Sequence, residues 1–402
     1  MKKPSESRHY RVALYSHDTM GLGHMRRNVL LAQALQHSRL RAVVLMIAGA
    51  REASLVTATA GVDCVALPSL WKDGHGQYRP RHLDISLDHL LAVRSRTAAA
   101  ALQAFAPDVL IVDNVPRGAL RELDPALEAL RANGRTRVVL GLRDVLDDPI
   151  TLQGEWTRAR NHDVVHRYYD AVWVYGDRAV YDAVREYGFG PDVANKVRYT
   201  GYLDQRVRTQ FAERGREDPV ALLGLSPGPL ALCLVGSGQD GAQLAEAFAE
   251  AELPPDTNGV LVTGPSMPLD ARRRVQRATA GRPGRRIVRF LSEPTRLVRR
   301  ADHIVAMGGY NTICEVLSFR KPALIVPRVK PRSEQLIRAE RLKALGLVDV
   351  LHPADLTPAA LSEWIARGHP RPALAQRRVD LNGLTRVPQF LAELLATAPD
   401  AA

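Results

Sequence analysis

Residues 307–315 read Met-Gly-Gly-Tyr-Asn-Thr-Ile-Cys-Glu, and they are the most informative part of the chain. A short apolar segment at 303–306 precedes them, and a helical pattern follows them to about Phe319. A strand, a glycine turn and a helix start bring free backbone N–H groups to a ligand, and those groups favour an anion. Glu315 lies near the start of the helix, where its carboxylate can face the same ligand. Donors for a phosphate beside a carboxylate for sugar hydroxyls are typical of a nucleotide site.

Short apolar strands alternate with helical patterns on both sides of this stretch. The first half predicts strands at 11–15, 42–48, 62–66, 109–112, 138–142 and 171–175, and helices at 25–36 and 87–105. The second half predicts strands at 230–235, 259–263, 287–290, 303–306 and 323–326, and helices at 241–251, 334–345, 361–365 and 387–395. Continuous apolar strands between helices indicate parallel sheets that are covered on both faces.

The chain is long enough for two domains, because its 402 residues exceed the size at which a single core stops growing. Residues 205–229 interrupt the alternation with charged sequence that is rich in Gly and Pro, which is typical of a boundary. We therefore predict an α/β protein with two doubly wound, Rossmann-like domains that face each other across a cleft. The predicted domains are 1–204 and 230–380, with a linker at 205–229 and a closing helix and tail at 381–402.

The composition is that of a globular protein, with 46% hydrophobic and 24% charged residues. The three cysteines, Cys64, Cys233 and Cys314, have no metal or redox spacing, so we expect buried thiols in a reducing compartment. No signal peptide is evident, and no apolar run approaches the roughly 18 residues of a membrane span. These features predict a cytoplasmic protein.

The net charge is +12, and much of it comes from arginine. One cluster comprises Arg272, Arg273, Arg274, Arg277, Arg282, Arg285, Arg286 and Arg289. The cluster is either a solvated helix and loop, or it attracts an anionic substrate or an anionic membrane. The last reading would place the protein peripherally at the inner membrane face. No zinc-finger, RNA-recognition or helix-turn-helix signature accompanies the charge, so no nucleic-acid partner is expected.

Three glycine-rich turns follow predicted strands: residues 21–24 (Gly-Leu-Gly-His), residues 236–241 (Gly-Ser-Gly-Gln-Asp-Gly) and Gly308-Gly309. In doubly wound sheets ligands bind beyond the carboxyl ends of the strands. The turns are therefore expected to collect at the cleft.

These residues resemble a family. The second half is similar to the donor domain of the GT-B glycosyltransferases, in the MurG-like group of glycosyltransferase family 28. The resemblance rests on residues 235–241, on Phe290-Leu291 followed by Ala301-Asp302, on the 308–315 stretch, and on Glu334-Gln335 after Pro322 and Pro327. The first half is similar at 21–24, which looks like the Gly-Gly-His loop of the acceptor domain. The whole chain also resembles the uncharacterised "predicted glycosyltransferase" relatives of that group.

The resemblance implies a role for each motif. Glu334 and Gln335 would contact the donor sugar, which is part of a nucleotide-sugar substrate. The nucleotide and its diphosphate would be held by Gly23, Ser237, Gly238, Gln239, Asp240, Phe290, Leu291, Gly309, Tyr310, Asn311, Thr312 and Glu315. Among these, Phe290-Leu291 would read the base through the backbone, and Glu315 would bind the ribose. UDP is the usual nucleotide of the family.

The chain also departs from the family pattern. Residues 18–20 read Asp-Thr-Met where MurG has more glycine, and Arg26-Arg27 stand where a proline is usual. Arg338 stands where an asparagine is common. The acceptor therefore stays open among lipids, polysaccharides, antibiotic aglycones and small metabolites, and so does the donor sugar.

The implied reaction is attack by an acceptor hydroxyl on the anomeric carbon while a nucleoside diphosphate leaves. Helix N-termini can stabilise the diphosphate, and no Asp-x-Asp pair is present, so we expect an inverting hexosyl transfer without a metal or a cofactor. His24 is the candidate general base, because a helix N-terminus favours neutral imidazole. It could instead contact the diphosphate or hold a loop.

Three features of the first half could shape the acceptor site. Asp113 could assist His24, act as a second base or cap a turn. Arg143 and Asp144 could also face the cleft, or they could form an internal ion pair. The polar, aromatic segment 71–79 reads as a long loop that could recognise the acceptor or simply lie at the surface.

Two other functions remain open from the sequence. UDP-N-acetylglucosamine 2-epimerases share the two-domain fold. A nucleotide-sugar-binding protein without catalysis would keep Glu315 and the glycine loops but would not need His24.

Overall fold

The computed structural model describes residues 9–18, 23–49, 61–72, 77–211, 219–291, 293–367 and 379–397. The first half contains a seven-stranded parallel sheet in the order β3-β2-β1-β6-β7-β8-β9. Its strands are β1 (Arg11–Ser16), β2 (Val43–Ala48), β3 (Val62–Ala66), β6 (Val109–Asp113), β7 (Arg137–Arg143), β8 (Ala171–Tyr175) and β9 (Val197–Tyr199). A separate antiparallel hairpin is formed by β4 (Leu70–Lys72) and β5 (Tyr78–Pro80).

Helices cover this first sheet. They are α1 (Gly23–Gln36), α2 (Leu87–Phe105), α3 (Asp124–Asn133), α4 (Pro149–Ala159), α5 (Asn161–Tyr168), α6 (Ala183–Glu186) and α7 (Pro191–Ala194). Ser86 caps α2 by accepting from the backbone N–H of His89, and Asp148 caps α4 in the same way through Thr151.

The second half repeats the architecture with a six-stranded parallel sheet in the order β12-β11-β10-β13-β14-β15. Its strands are β10 (Leu230–Leu234), β11 (Asn258–Val262), β12 (Arg285–Val288), β13 (His303–Ala306), β14 (Ala323–Ile325) and β15 (Asp349–Val350). Its helices are α10 (Ala242–Glu250), α11 (Leu269–Thr279), α12 (Thr295–Arg300), α13 (Tyr310–Phe319), α14 (Glu334–Ala344) and α15 (Pro358–Ala366). The predicted α/β architecture of two parallel sheets is confirmed.

The predicted strands agree with the structure within about two residues at each end, and the largest shift moves the strand predicted at 287–290 to Arg285–Val288. The sequence did not predict β9 and β15. The prediction of a long loop at 71–79 is wrong for residues 71–72 and 78–79, which pair in the β4–β5 hairpin, and residues 73–76 lie outside the described part. The predicted linker region carries two short helices, α8 (Arg206–Phe211) and α9 (Pro219–Leu222).

The last helix, α16 (Gly383–Ala396), returns to the first half and packs on α1. Two backbone hydrogen bonds hold the returning chain: the N–H of Tyr202 donates to the carbonyl oxygen of Asp380, and the N–H of Gly383 donates to that of Tyr202. One apolar cluster runs through this contact and includes Val12, Leu391 and Ile304. The chain therefore crosses between the two sheets at both ends of the second half.

In both sheets, the strands are first added on one side of the first strand and then on its other side. In the first sheet the reversal lies between β1 and β6, and in the second it lies between β10 and β13. The crevice at such a switch point is where doubly wound sheets bind ligands. Asp113 ends β6, His24 comes after β1 in the chain, and the glycine loops after β10 and β13 follow the other two strands.

A buried ion pair joins the two halves. Arg338 of α14 has a fully buried side chain and binds Asp144 of the first half through Nε (2.9 Å) and Nη2 (2.7 Å). Its Nη1 also donates to the carbonyl oxygen of Gly308 (2.9 Å), and Tyr202 Oη donates to Asp144 (2.8 Å). The alternative of an Arg143–Asp144 pair is therefore wrong, since Asp144 pairs with an arginine from the other half.

We expect Arg338→Met to lower the free energy of unfolding by about 3–5 kcal/mol, because Asp144 would be left buried without its cation. Asp144→Asn in the same background should recover part of the loss. Denaturant unfolding of the two single variants and the double variant measures this coupling. Strictly additive losses would show that the pair does not stabilise the fold.

Candidate functional site

His24 and Asp113 form a hydrogen-bonded pair at the switch point of the first sheet. His24 is the second residue of α1, and Asp113 ends β6. His24 Nδ1 lies 2.6 Å from Asp113 Oδ2, and the histidine side chain keeps 20% of its surface exposed. Of the predicted alternatives for Asp113, the geometry supports assistance to His24.

Arg27 fixes the charge of this pair. It binds Asp113 through Nε (3.0 Å) and Nη2 (2.6 Å), and both side chains are buried. Burial alone would raise the pKa of Asp113, but the charge of Arg27 and the hydrogen bonds from Arg27 and His24 hold it below its usual range. An ionised carboxylate only accepts, so the proton of the contact belongs to His24 Nδ1. In neutral imidazole, Nε2 is then the nitrogen that can take a proton.

Asp18 and His17 support the start of α1. Asp18 accepts from the backbone N–H groups of Met25 (3.0 Å) and Gly49 (3.2 Å), so it holds the end of β1 against the helix. The ring of His17 lies 4.8 Å from that of His24, and burial lowers the pKa of His17 well below its usual value. A neutral His17 therefore adds no charge beside His24. Gly21 and Leu22 lie outside the described residues.

The N-terminus of α13 meets the N-terminus of α1. Gly309 precedes α13 with no side-chain cap, and a Cβ on it would meet nothing within 4 Å. Asn311 Nδ2 donates to the carbonyl oxygen of Gly23 (2.9 Å), the residue before His24. The predicted phosphate helix and the predicted base are thus one hydrogen bond apart. The backbone N–H groups of the first turn, including that of Thr312, stay available to an anion.

Tyr310 has a different place from the one its motif suggests. Its side chain is buried, and its ring packs near Tyr202 (6.2 Å between centroids) and beneath the guanidinium of Arg27 (5.3 Å). Only its backbone can face a diphosphate, so the predicted contact is corrected to a main-chain one.

Glu315 lies in the core of the second half with 4% of its surface exposed. Burial raises the pKa of Glu315 to about 7, and the nearby charges of Arg208 and Arg26 oppose that rise. Hydrogen-bond donors such as hydroxyl groups would stabilise the ionised form of a buried carboxylate of this kind.

The loop after β10 depends on its glycines. Gly238 has φ of +88°, and a Cβ there would lie 2.1 Å from the carbonyl oxygen of Thr263. Gly264 packs as closely against Ser237. The loop therefore folds tightly back on the end of β11, and it leaves Gln239 and Asp240 exposed.

Arg328, which sequence reasoning missed, connects this loop with the predicted sugar contacts. It binds Asp240 Oδ2 (3.0 Å) through Nη1 and Glu334 Oε1 (2.6 Å) through Nη2. Its backbone N–H donates to Gln335 Oε1 (3.1 Å). Glu334 keeps a buried oxygen, Oε2, that has no partner among the described residues. A single arginine in a loop gives no periodic signal, so only its position after Pro327 could have drawn attention.

The predicted base segment contacts the first half. Arg26 Nη2 donates to the carbonyl oxygen of Leu291 (3.0 Å), and its guanidinium lies 5.8 Å from the ring centre of Phe290. Phe290 is 45% exposed. Arg26 therefore reaches from α1 to Phe290-Leu291 in the second half, where the charge of Glu315 acts on it, and the sequence did not predict this contact.

Much of the basic cluster serves the fold. Arg282 and Arg285 donate to the carbonyl oxygens that end α10, and Arg286 donates to those of Leu223 and Gly224. Arg274 pairs with Glu246 and Asp270. The reading of this cluster as a simply solvated face is therefore incomplete.

No helix in the described part of the chain is long and apolar enough to cross a membrane. The described ranges also hold no group of three or more His, Cys, Asp or Glu side chains that could bind a metal.

Solved structures with a similar fold cover nearly the whole chain. The glycotransferase of kitacinnamycin superposes with a TM-score of 0.63 at 16% identity, over 96% of this chain and 100% of that one. MurG of Acinetobacter baumannii gives 0.57 at 15% identity, over 96% and 99%. UDP-GlcNAc 2-epimerase of Neisseria meningitidis bound to UDP-GlcNAc gives 0.61 at 12% identity, over 96% and 99%. The chain has the GT-B fold.

Sequence comparison identifies the second half. Residues 232–384 match the glycosyltransferase family 28 C-terminal domain. The UDP-N-acetylglucosamine–N-acetylmuramyl-(pentapeptide) pyrophosphoryl-undecaprenol N-acetylglucosamine transferase of Geobacillus kaustophilus is 30% identical over 29% of this chain and 33% of its own length. The Rubrobacter xylanophilus enzyme of the same name is 27% identical over 43% and 48%. The matches thus span at most about half of these relatives. Residues 232–384 therefore carry a glycosyltransferase family 28 C-terminal domain, and they are similar to part of these transferases.

The raised pKa of Glu315 predicts a pH-dependent stability. Its folded value of about 7 exceeds the ordinary value of 4.5, so the protonated form favours folding. The contribution of Glu315 to the free energy of unfolding is fully present below about pH 4.5 and is lost as the pH rises through about 7. The whole contribution amounts to at most about 3 kcal/mol. We expect Glu315→Gln to be more stable than the wild type at pH 8, with the difference shrinking by pH 5. Thermal unfolding at both pH values measures this, and a variant less stable at pH 8 would contradict it.

Proposed function

We propose that this protein is an inverting glycosyltransferase that moves a hexose-type sugar from a nucleoside diphosphate sugar to an acceptor hydroxyl. The observation that carries the proposal is the hydrogen bond from Asn311 to Gly23, at 2.9 Å. It brings an uncapped helix N-terminus, suited to a diphosphate, beside the His24–Asp113 pair, suited to deprotonating a hydroxyl. The family 28 domain of the second half supports the same reading.

In the proposed reaction His24 acts as the general base. Its Nε2 takes the proton of the acceptor hydroxyl while the oxygen attacks the anomeric carbon. Asp113 holds the ring through Nδ1 and stabilises the imidazolium that forms. Arg27 keeps Asp113 ionised in the buried site. Attack opposite the departing diphosphate inverts the anomeric centre in one displacement.

The leaving diphosphate would be stabilised by the second half. The backbone N–H groups at the start of α13, with Asn311 and Thr312, and those of the loop with Ser237, Gly238 and Gln239 are the donors we assign to it. These donors are fixed before the reaction, so they need not reorganise as charge develops. We propose that they act without a metal ion and that no cofactor takes part.

The rest of the donor would extend from this point. We assign the ribose hydroxyls to Glu315, the base to the backbone at Phe290-Leu291, and the sugar to Glu334 Oε2 and the amide nitrogen of Gln335. The relatives whose names specify UDP-N-acetylglucosamine support UDP as the nucleotide. We further propose a cytoplasmic location and, through the arginine cluster at 272–289, a peripheral contact with an anionic membrane.

Replacement of His24 should remove the base without removing the donor site. We expect His24→Ala to lower kcat by about 10²–10⁴-fold while the Kd for UDP stays unchanged. Asp113→Asn should lower kcat less, because the imidazole remains. The measurement is release of UDP from UDP-N-acetylglucosamine, with water as acceptor where no other is known. His37→Ala, beyond the other end of α1, is the matched control. Full turnover by His24→Ala would exclude it as the base.

Nucleotide binding should not require a metal. Thermal unfolding with UDP, GDP, ADP and dTDP, each with and without EDTA, tests this. A diphosphate at about 100 times its Kd adds roughly 2.7 kcal/mol, a shift of a few degrees for a chain of this size. We expect UDP to produce the shift in the presence of EDTA, and Glu315→Gln to reduce it. A shift that EDTA abolishes would refute metal independence, and no shift with any diphosphate would refute the donor site.

The 2-epimerases are the second candidate, and the specific observation for them is the similarity of fold. Two structures named as UDP-GlcNAc 2-epimerases, from Listeria monocytogenes and Neisseria meningitidis, superpose with TM-scores of 0.62 and 0.61 at 13% and 12% identity, which concerns the fold alone. Isomerisation of UDP-N-acetylglucosamine without an acceptor would favour an epimerase. Saturable UDP binding with neither transfer, hydrolysis nor isomerisation would favour a protein that only binds the nucleotide sugar.

A further inference from the structure

Arg143 is an arginine at the cleft that lacks a carboxylate partner. It ends β7, beside the end of β6 where Asp113 lies. The fully or nearly fully buried arginines Arg27, Arg94 and Arg338 each pair with a carboxylate at 2.5–2.7 Å. Arg143 is half-buried, and it forms no ion pair with any residue that the structure describes. Among the described residues it forms one hydrogen bond, from Nε to Asn114 Oδ1, which is long at 3.4 Å.

Charged groups from both halves surround this guanidinium. Burial lowers the pKa of Arg143 to about 10. Among the surrounding charges, Glu334 has the largest effect on this pKa, followed by Arg27, Arg338 and Asp113. Arg143 therefore stays positive at neutral pH. A desolvated cation in this position is costly unless an anion or water meets it.

Polar atoms near Arg143 also lack partners among the described residues. They include Nδ1 of His17, Oη of Tyr175 and Oε2 of Glu334, and all three side chains are at least nine-tenths buried. Tyr175 lies next to Arg143 in the β7–β8 register, and the charge of Arg143 acts on His17. Buried polar atoms without partners normally meet water or a ligand. Arg143 and these three atoms are therefore suited to meet a polar molecule.

We propose that Arg143 binds an anionic group, a carboxylate or a phosphate, that the substrate carries close to the reacting atoms. This inference rests on the proposed function and narrows its substrate class. The group belongs either to the acceptor or to the transferred sugar. The donor diphosphate does not account for it, since the helix N-terminus and loop assigned to that diphosphate lie in the second half. Arg143 stands in the first half, on the Asp113 side of the cleft.

The test compares the wild type with Arg143→Gln by titration calorimetry. UDP is titrated first, to measure the donor site itself. UDP-glucuronate and UDP-glucose are then compared, because they differ in a carboxylate on the sugar. Inorganic phosphate is finally titrated into the free and the UDP-saturated protein, as a probe for an acceptor anion. Arg135→Gln, an exposed arginine before the other end of β7, is the matched control for the loss of one charge.

We expect Arg143→Gln to leave the Kd for UDP within about twofold. The substitution should remove either the preference for UDP-glucuronate over UDP-glucose or the binding of inorganic phosphate. A charge-assisted hydrogen bond corresponds to about tenfold in affinity. Loss of a preference for UDP-glucuronate would assign the anion to the sugar, and loss of phosphate binding would assign it to the acceptor.

Three results would separate the inference from the proposed function. If UDP binds normally and neither anion depends on Arg143, the inference is wrong and the function stands. If Arg143→Gln weakens UDP itself by tenfold or more, Arg143 belongs to the diphosphate site and the inference is wrong. If the wild type binds no UDP but phosphate binding still needs Arg143, the donor assignment fails and the anion site stands.

Discussion

The buried pair between Asp144 and Arg338 is the contact on which the geometry of the cleft depends. It joins Asp144, just after β7 of one sheet, to α14 of the other half. Arg338 also donates to the carbonyl oxygen of Gly308, just before α13. A buried ion pair is costly to break, because either charge left alone would be desolvated without a partner. A second contact, from Arg332 and Ser333 to Asp147, lies along the same edge. Together they set the distance between the two halves.

Within that frame, two helix N-termini from different halves approach each other. The α1 end carries His24 and the α13 end carries Asn311, and the bond from Asn311 to Gly23 joins them. Each helix start offers unsatisfied N–H groups, so their convergence concentrates positive potential without a metal ion. A negatively charged ligand would therefore complement the cleft electrostatically. Several buried polar atoms, including Oε2 of Glu334, have no partner among the described residues.

The site also shows how charges are balanced across the cleft. Arg27 balances the charge of Asp113, and Arg328 offsets part of the combined charge of Asp240 and Glu334, which reduces their repulsion of a diphosphate at the proposed donor site. Glu315 is treated differently, because its charge is only partly compensated and its pKa is raised. Arg143 also lies at this cleft, and no carboxylate among the described residues forms an ion pair with it. The arrangement separates residues that shape the site from residues that are available to a substrate.

The sequence by itself determined the order of elements, since short apolar strands between amphipathic helices specify a parallel sheet wherever they occur. It also located the motifs, because a glycine turn after a strand has a local physical cause. It could not determine which side chains would pair across the halves. The partnership of Asp144 with Arg338 rather than Arg143, the bridge made by Arg328, the burial of Tyr310 and the reach of Arg26 to Leu291 all join residues far apart in the chain. Such contacts depend on how two sheets are positioned, and only the tertiary structure decides that, because side-chain charge and burial are properties of the packed surroundings.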